Sequence, residues 1–167
     1  RQAHGAADDE ICVLCSSDSH YSVDKAANLL SVDIVKVAVD DSTRVASDES
    51  IRSAVARISD DGKKYVIVIA NMMTTMFGSV DGTDGYVSAL SAAGIRFRIH
   101  VDGAYGGFYY PFAEGESALD FSNEHVSSVT LDAHKMLQAP YGTGIFIVRK
   151  GLMQFAVTKE ASYVEGQ

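Results

Sequence analysis

At 167 residues, 47% of them hydrophobic and only two of them proline, the sequence has the length and apolar content for one domain with a sizeable core. It is too apolar for a disordered chain. A formal net charge of −8 disfavours non-specific binding to nucleic acid or to an anionic membrane, and leaves a small-molecule ligand as the default. No apolar run approaches the roughly 20 residues of a membrane span, and no basic segment with an apolar stretch opens the chain, so a cytoplasmic protein is expected. Starting at Arg1 and stopping at Gln167, it reads as a candidate piece of a longer polypeptide.

Apolar β-rich runs alternate with helical patterns from end to end, the pattern of a three-layer α/β fold on a mainly parallel sheet. The first strand is expected over Ile11 to Ser16, leading through polar Ser17-Asp-Ser-His20 into a helix with Ala26, Ala27, Leu29 and Leu30 as its apolar face. Cys12 and Cys15 lie in that strand. Their C-x-x-C spacing invites a redox or zinc reading, but side chains three apart on a strand point to opposite faces, and burial in the core is the expectation. A second strand covers Ile34 to Val39. Ser47 or Asp48 is placed to cap a helix presenting Ile51, Ala54, Val55 and Ile58 on one side, which Asp60-Asp-Gly62 ends. Tyr65 to Ala70 is apolar on both faces and belongs in the middle of the sheet.

Asn71 to Gly85 reads as a loop at the carboxyl end of that strand, and Tyr86 to Ala93 as a short helix ended by Gly94. Strands over Arg96 to Val101 and Ser127 to Leu131 then deliver Asp102 beyond one end and Asp132, His134 and Lys135 beyond the other. Ile145 to Val148 returns as a last strand after the Tyr141-Gly-Thr-Gly144 turn. Phe108-Tyr-Tyr-Pro-Phe112 reads as core or subunit interface. His4, His100 and His125 read as structural or surface residues, and no spacing among the histidines recommends a metal site. No G-x-G-x-x-G follows the first strand, which argues against a dinucleotide.

Ligands of open α/β sheets bind beyond the carboxyl ends of the strands. An aspartate and a lysine brought there by neighbouring strands suit pyridoxal phosphate (PLP) chemistry. A lysine at the mouth of a sheet, partly desolvated or beside cations, can become nucleophilic enough to form an imine with an aldehyde. An aspartate against a pyridine nitrogen keeps the ring protonated, so that it accepts electrons when a bond at Cα breaks. Lys135 and Asp102 are the candidates. His20 is placed to lie flat on the ring, Ala104 offers a small side chain to the opposite face, and Thr74 and Thr75 supply hydroxyls. His134 has two readings, a hydrogen bond to phosphate or one to backbone near the turn. One of the two threonines has a second reading as well, in satisfying the amides of its own loop.

His100-Val-Asp102-Gly-Ala104-Tyr-Gly-Gly107, with Ser128-Val-Thr-Leu-Asp-Ala-His134-Lys135 and Pro140, resembles the paired signature of the PLP-dependent decarboxylases of the aromatic amino-acid, glutamate and tyrosine group. Ser19-His-Tyr-Ser-Val-Asp-Lys-Ala-Ala27 resembles that family's segment bearing the ring-stacking histidine, and Thr74-Thr75 with Gly78 and Asp81 resembles its strand-end loop. The matches fall in the family's order from Ser19 to Lys150. The resemblance implies that Lys135 forms the internal aldimine, Asp102 pairs with the pyridine nitrogen, Ala104 and His20 flank the ring, and His134 contacts phosphate. It further implies a type I PLP fold, a homodimer with shared active sites, and an amino-acid substrate. Residues 1–167 would then be the central portion of the large domain, with the main phosphate-binding loop before Arg1 and a mobile catalytic loop after Gln167, so that the segment alone would be a poor catalyst. Two positions depart from the pattern. Met72-Met73 stands where the family often has a glycine before its Thr-Thr pair, and Gly103 replaces a common alanine. Rival readings are another type I PLP lyase, similar to sphingosine phosphate lyase, and a non-catalytic subunit.

Overall fold

The computed structural model describes residues 5–113 and 118–153; His4 lies outside them. Strands β1 (Ile11–Ser16), β2 (Asp33–Val37), β3 (Tyr65–Asn71), β4 (Arg96–Gly103), β5 (Val126–Asp132) and β6 (Gly144–Val148) form one sheet in the order β2-β1-β3-β4-β5-β6. Every pairing is parallel except that of β5 with β6. Helices α1 (Tyr21–Leu29), α2 (Asp48–Asp60), α3 (Asp84–Ala92) and the short α4 (Tyr110–Ala113) connect them.

The strand order reverses at β1. The chain steps one way from β1 to β2 and then the other way, over β1, to β3. Since parallel crossovers are right-handed, α1 lies on one face of the sheet and α2 and α3 on the other. The α2–α3 face holds the core. Ile51, Ala54, Val55 and Ile58 of α2 are buried with Tyr86 and Leu90 of α3 on Leu14, Val66, Val68, Ala70, Ile99 and Val101 of the sheet. Full burial of a side chain such as Ile58 contributes about 1.5–3 kcal/mol. Ser47 caps α2, its Oγ accepting the Ser50 amide at 3.1 Å.

The opposite face is more open. In central β3, Ile67 is 41% exposed while its neighbours Val66 and Val68 are buried. The expected apolar face of α1 is accordingly only partly used, with Ala27 buried but Leu29 and Leu30 exposed. Tyr109 and Phe112 are also exposed, and of the aromatic cluster it is Tyr110 that packs against the core. Exposure therefore corrects the core reading for Phe112. Cys12 and Cys15 are free and buried in β1, and burial pushes both thiols up, Cys12 to about 11, which suits a structural role. No helix among the described residues is long and apolar enough to cross a membrane.

Candidate active site

The reversal of strand order opens a crevice between the carboxyl ends of β1 and β3. The loop after β1 carries His20, which caps α1; its Nδ1 lies 2.8 Å from Ser22 Oγ and 3.4 Å from the Ser22 amide. The loop after β3 is closed by a buried carboxylate. Asp81 Oδ2 accepts the Asn71 amide at 2.8 Å and Asn71 Nδ2 at 2.6 Å, and the same Nδ2 donates to Ser19 Oγ at 2.9 Å, tying this loop to the His20 loop. Burial pushes the Asp81 carboxyl up, against the pull of the Asn71 bonds. Thr74 is buried and turned to its own loop, pairing with Ser79 Oγ at 2.8 Å and accepting the Ser79 amide at 3.2 Å, whereas Thr75 is exposed.

At the carboxyl end of β4, Asp102 Oδ1 accepts the Ala104 amide at 3.1 Å, which turns the chain sharply back. The turn then passes so close to the β3 loop that a Cβ on Gly106 would lie 2.4 Å from the Met72 carbonyl oxygen. Met73, in the Met72-Met73 pair that stands where the family often has a glycine, takes a left-handed backbone at φ +67°, a conformation that favours glycine. At Gly103 an added Cβ would lie 3.0 Å from the Thr130 carbonyl oxygen, so β5 leaves little room for an alanine there.

Beyond β5, Lys135 Nζ lies 3.1 Å from Asp132 Oδ2, and His134 Nε2 lies 3.9 Å from the same oxygen. The other ring nitrogen of His134 is 3.3 Å from the Thr143 carbonyl, and its ring sits against Tyr141. One edge of the His134 ring thus lies against backbone at the turn.

A cleft of about 550 Å³ collects His20, Thr74, Thr75, Asp102, Ala104 and Lys135 on its walls. His134 is not among its lining residues. The cleft continues over the open face of the sheet past Ile67 and Ile69 to Val23 of α1 and to Leu30 just after it. Among the polar lining residues that were not singled out from the sequence as site residues, one is a carboxylate and one an imidazole. Asp132 is the carboxylate. The imidazole is that of His100, read as structural or surface, whose Nδ1 is 2.8 Å from Ser128 Oγ and whose Nε2 is 3.2 Å from Thr130 Oγ1. Burial holds its imidazole below the usual histidine range, opposed by the charge of Asp102. The signal was present in the spacing, since residues two apart on a strand share a face and His100 therefore shares that of Asp102.

The sequence model of the pyridoxal-dependent decarboxylase conserved domain matches residues 2–166. The chain belongs to the pyridoxal-dependent decarboxylase family. Over 157 residues, 94% of the chain, it is 52% identical to a tryptophan decarboxylase of Clostridium sporogenes, and over 149 residues, 89% of the chain, 38% identical to a probable L-tyrosine/L-aspartate decarboxylase of Methanothrix thermoacetophila. The chain spans only 38% and 36% of those decarboxylases. Among solved structures, Oryza sativa TDC with PLP and tryptamine shares the fold at a TM-score of 0.78 and 22% identity, over 99% of this chain and 34% of that one. A sphingosine-1-phosphate lyase of Burkholderia pseudomallei also shares it, at a TM-score of 0.74 and 23% identity, over 92% and 35% of the two chains. Fold alone thus does not separate a sphingosine-1-phosphate lyase from a decarboxylase. The matching family model and the two sequence relatives are those of decarboxylases.

Proposed function

We propose that the complete protein is a PLP-dependent amino-acid decarboxylase, of which residues 1–167 are the central portion of the large domain, and that an aromatic amino acid of the tryptophan class is its substrate. The observation that carries this reading is the convergence of Lys135 and Asp102, from the ends of adjacent strands β5 and β4, on one cleft at the point where the strand order reverses. The donor set fits the cofactor: an amine for its aldehyde, a carboxylate for its pyridine nitrogen, an imidazole for one ring face and the small Ala104 for the other. The substrate class is supported by the 52% identity to a tryptophan decarboxylase.

When bound, PLP supplies an electron sink for the bond broken at Cα. The residues of this chain do the rest. Lys135 would hold the cofactor through its ε-amine. Asp102, braced by the Ala104 amide, would keep a proton on the pyridine nitrogen. His20, fixed as the cap of α1, would pack on the ring and exclude water from it. Thr75 would offer a hydroxyl to the cofactor, and Thr74 shapes the loop that presents it. His134 would contact phosphate through Nε2, the ring nitrogen that is not against the Thr143 carbonyl.

A homodimer with shared sites is part of this proposal, supported by the open sheet face and the exposed Tyr109 and Phe112, which a second subunit or further chain would cover. A cytoplasmic location is supported by the unpaired thiols of Cys12 and Cys15.

The test is borohydride reduction of the full-length protein after incubation with PLP, followed by peptide mass mapping and assay of tryptamine and CO2 release from tryptophan. A pyridoxyl adduct confined to Lys135 and absent from Lys135→Ala is expected. A folded full-length protein with no adduct, or with one on another lysine, would sink the proposal. An adduct on Lys135 with no turnover of aromatic amino acids would overturn the substrate class alone.

A further inference from the structure

Arg44 stands in the loop between β2 and α2, outside the lining of the cleft, and the loop is built to present it. Asp40 Oδ1 accepts the amides of Ser42 and Thr43 at 2.9 and 2.8 Å, the Asp40 carbonyl accepts the Arg44 amide at 2.8 Å, and Arg44 takes a left-handed backbone at φ +58°. Such a conformation is unfavourable for a residue with a Cβ, and persists where its surroundings hold it. The guanidinium makes a two-pronged contact with Asp18, Nε to Oδ2 at 2.9 Å and Nη2 to Oδ1 at 2.6 Å, and the Asp18 side chain is only 8% exposed. The guanidinium carbon lies 4.1 Å from the centroid of the Phe77 ring. The remaining Nη1 reaches exposed Asp41 at 3.3 Å.

Asp18 lies two residues before His20, and Phe77 two residues after Thr75. We infer that Arg44 is a positioning residue of the cofactor cleft, clasping the loop that carries His20 to the loop that carries Thr74 and Thr75. A planar fork suits this task, because it forms paired hydrogen bonds along its edge while its flat face packs on an aromatic ring, and an ammonium group cannot do both. The clasp itself is a matter of loop geometry; its bearing on the cofactor rests on the function proposed above.

The test uses full-length protein and two readouts. The first is amide hydrogen exchange without cofactor, following the loop amides of Ser17 and Ser19 on one side and Thr74 and Gly78 on the other, which are hydrogen-bonded to Val37, Ser16, Ser79 and Thr74 carbonyls respectively. The interior of β3 serves as control. The second is the affinity for PLP, titrated by absorbance. Arg44→Lys is expected to speed exchange in both loops by about fivefold or more with β3 unchanged, and to weaken PLP binding about tenfold. Phe77→Leu is expected to loosen the Thr74–Gly78 loop alone, and it keeps the inference testable if Arg44→Ala fails to fold. Loops that exchange at the wild-type rate in Arg44→Lys would overturn the clasp, as would acceleration of β3 to the same extent. Loosened loops with unchanged affinity for PLP would overturn its bearing on the cofactor. If the wild-type protein binds no PLP, the proposed function fails and the exchange readout still decides the clasp.

Discussion

Asp132 Oδ2 and Lys135 Nζ face each other at 3.1 Å across one turn of backbone, so the amine proposed to carry the cofactor is held by a carboxylate of its own loop. The pair is partly exposed, at 30% and 19% for the lysine and aspartate side chains, and pairs of this kind contribute at most about 1 kcal/mol to stability. Its effect should fall on the aim of the amine instead. Asp132→Ala in the full-length protein is expected to change the melting temperature by no more than a few degrees. It should slow covalent capture of PLP about three- to tenfold, read by stopped-flow absorbance. Capture at the wild-type rate would show that Asp132 does not aim the amine.

Neighbouring methionines should respond to glycine to very different extents. Met72 is 3% exposed in the core, and its loss should cost about 3 kcal/mol or more. Met73 holds a left-handed backbone, so relief of about 1–2 kcal/mol in Met73→Gly offsets the entropy and packing lost. Urea unfolding of both variants checks this. A loss at Met73 as large as that at Met72 would mean that the left-handed backbone carries little cost.

The approach of the Asp102 turn to the β3 loop leaves no room at Gly106. Gly106→Ala places a carbon 2.4 Å from the Met72 carbonyl and 2.6 Å from Met73 Cβ, and both belong to a loop pinned by Asp81. A destabilisation of about 1–3 kcal/mol is expected, together with weaker PLP binding because both walls of the cleft must part. Calorimetry and cofactor titration check the two effects separately.

His100 gives the stability a pH dependence of known sign. Burial depresses its pKa in the folded protein, so below about pH 6.5 the unfolded chain takes up a proton that the folded protein does not. The histidine's contribution is therefore intact above that pH and is lost as the pH falls toward the folded-state value. The loss has a limiting slope of about 1.4 kcal/mol per pH unit. Comparing His100→Gln with wild type in unfolding experiments from pH 7.5 to 5.5 isolates this proton. Parallel pH profiles in the two proteins would remove His100 as its source.

The sheet was legible in the sequence because β-branched runs such as Tyr65 to Ala70 state both strand and central position, and because strand ends announce the cleft. The placement of Lys135 and Asp102 on the cleft was readable for that reason. α1 was less so: its apolar face was legible, yet only Ala27 is buried, since a pattern of apolar residues says that a surface is to be covered without saying by what. His100 required attention to the face it shares with Asp102. The Arg44 contacts left no trace, because a fork reaching Asp18 across 26 positions depends on a left-handed loop residue that no periodicity marks.

The strand order also bears on how the protein is made and kept. β1 is synthesised before β2 and β3 yet lies between them, and the crevice has its last wall only when β5 has docked. Parallel strands joined by long crossovers must close large loops before their contacts form, which slows folding and lengthens the time during which edges are unpaired. A ligand bound across the ends of β1, β3, β4 and β5 recognises only the finished sheet. At a hundred times its dissociation constant it would add about 2.7 kcal/mol to the folded state. With PLP as that ligand, vitamin B6 supply would set how much of the polypeptide survives cellular quality control as well as how much of it turns over substrate.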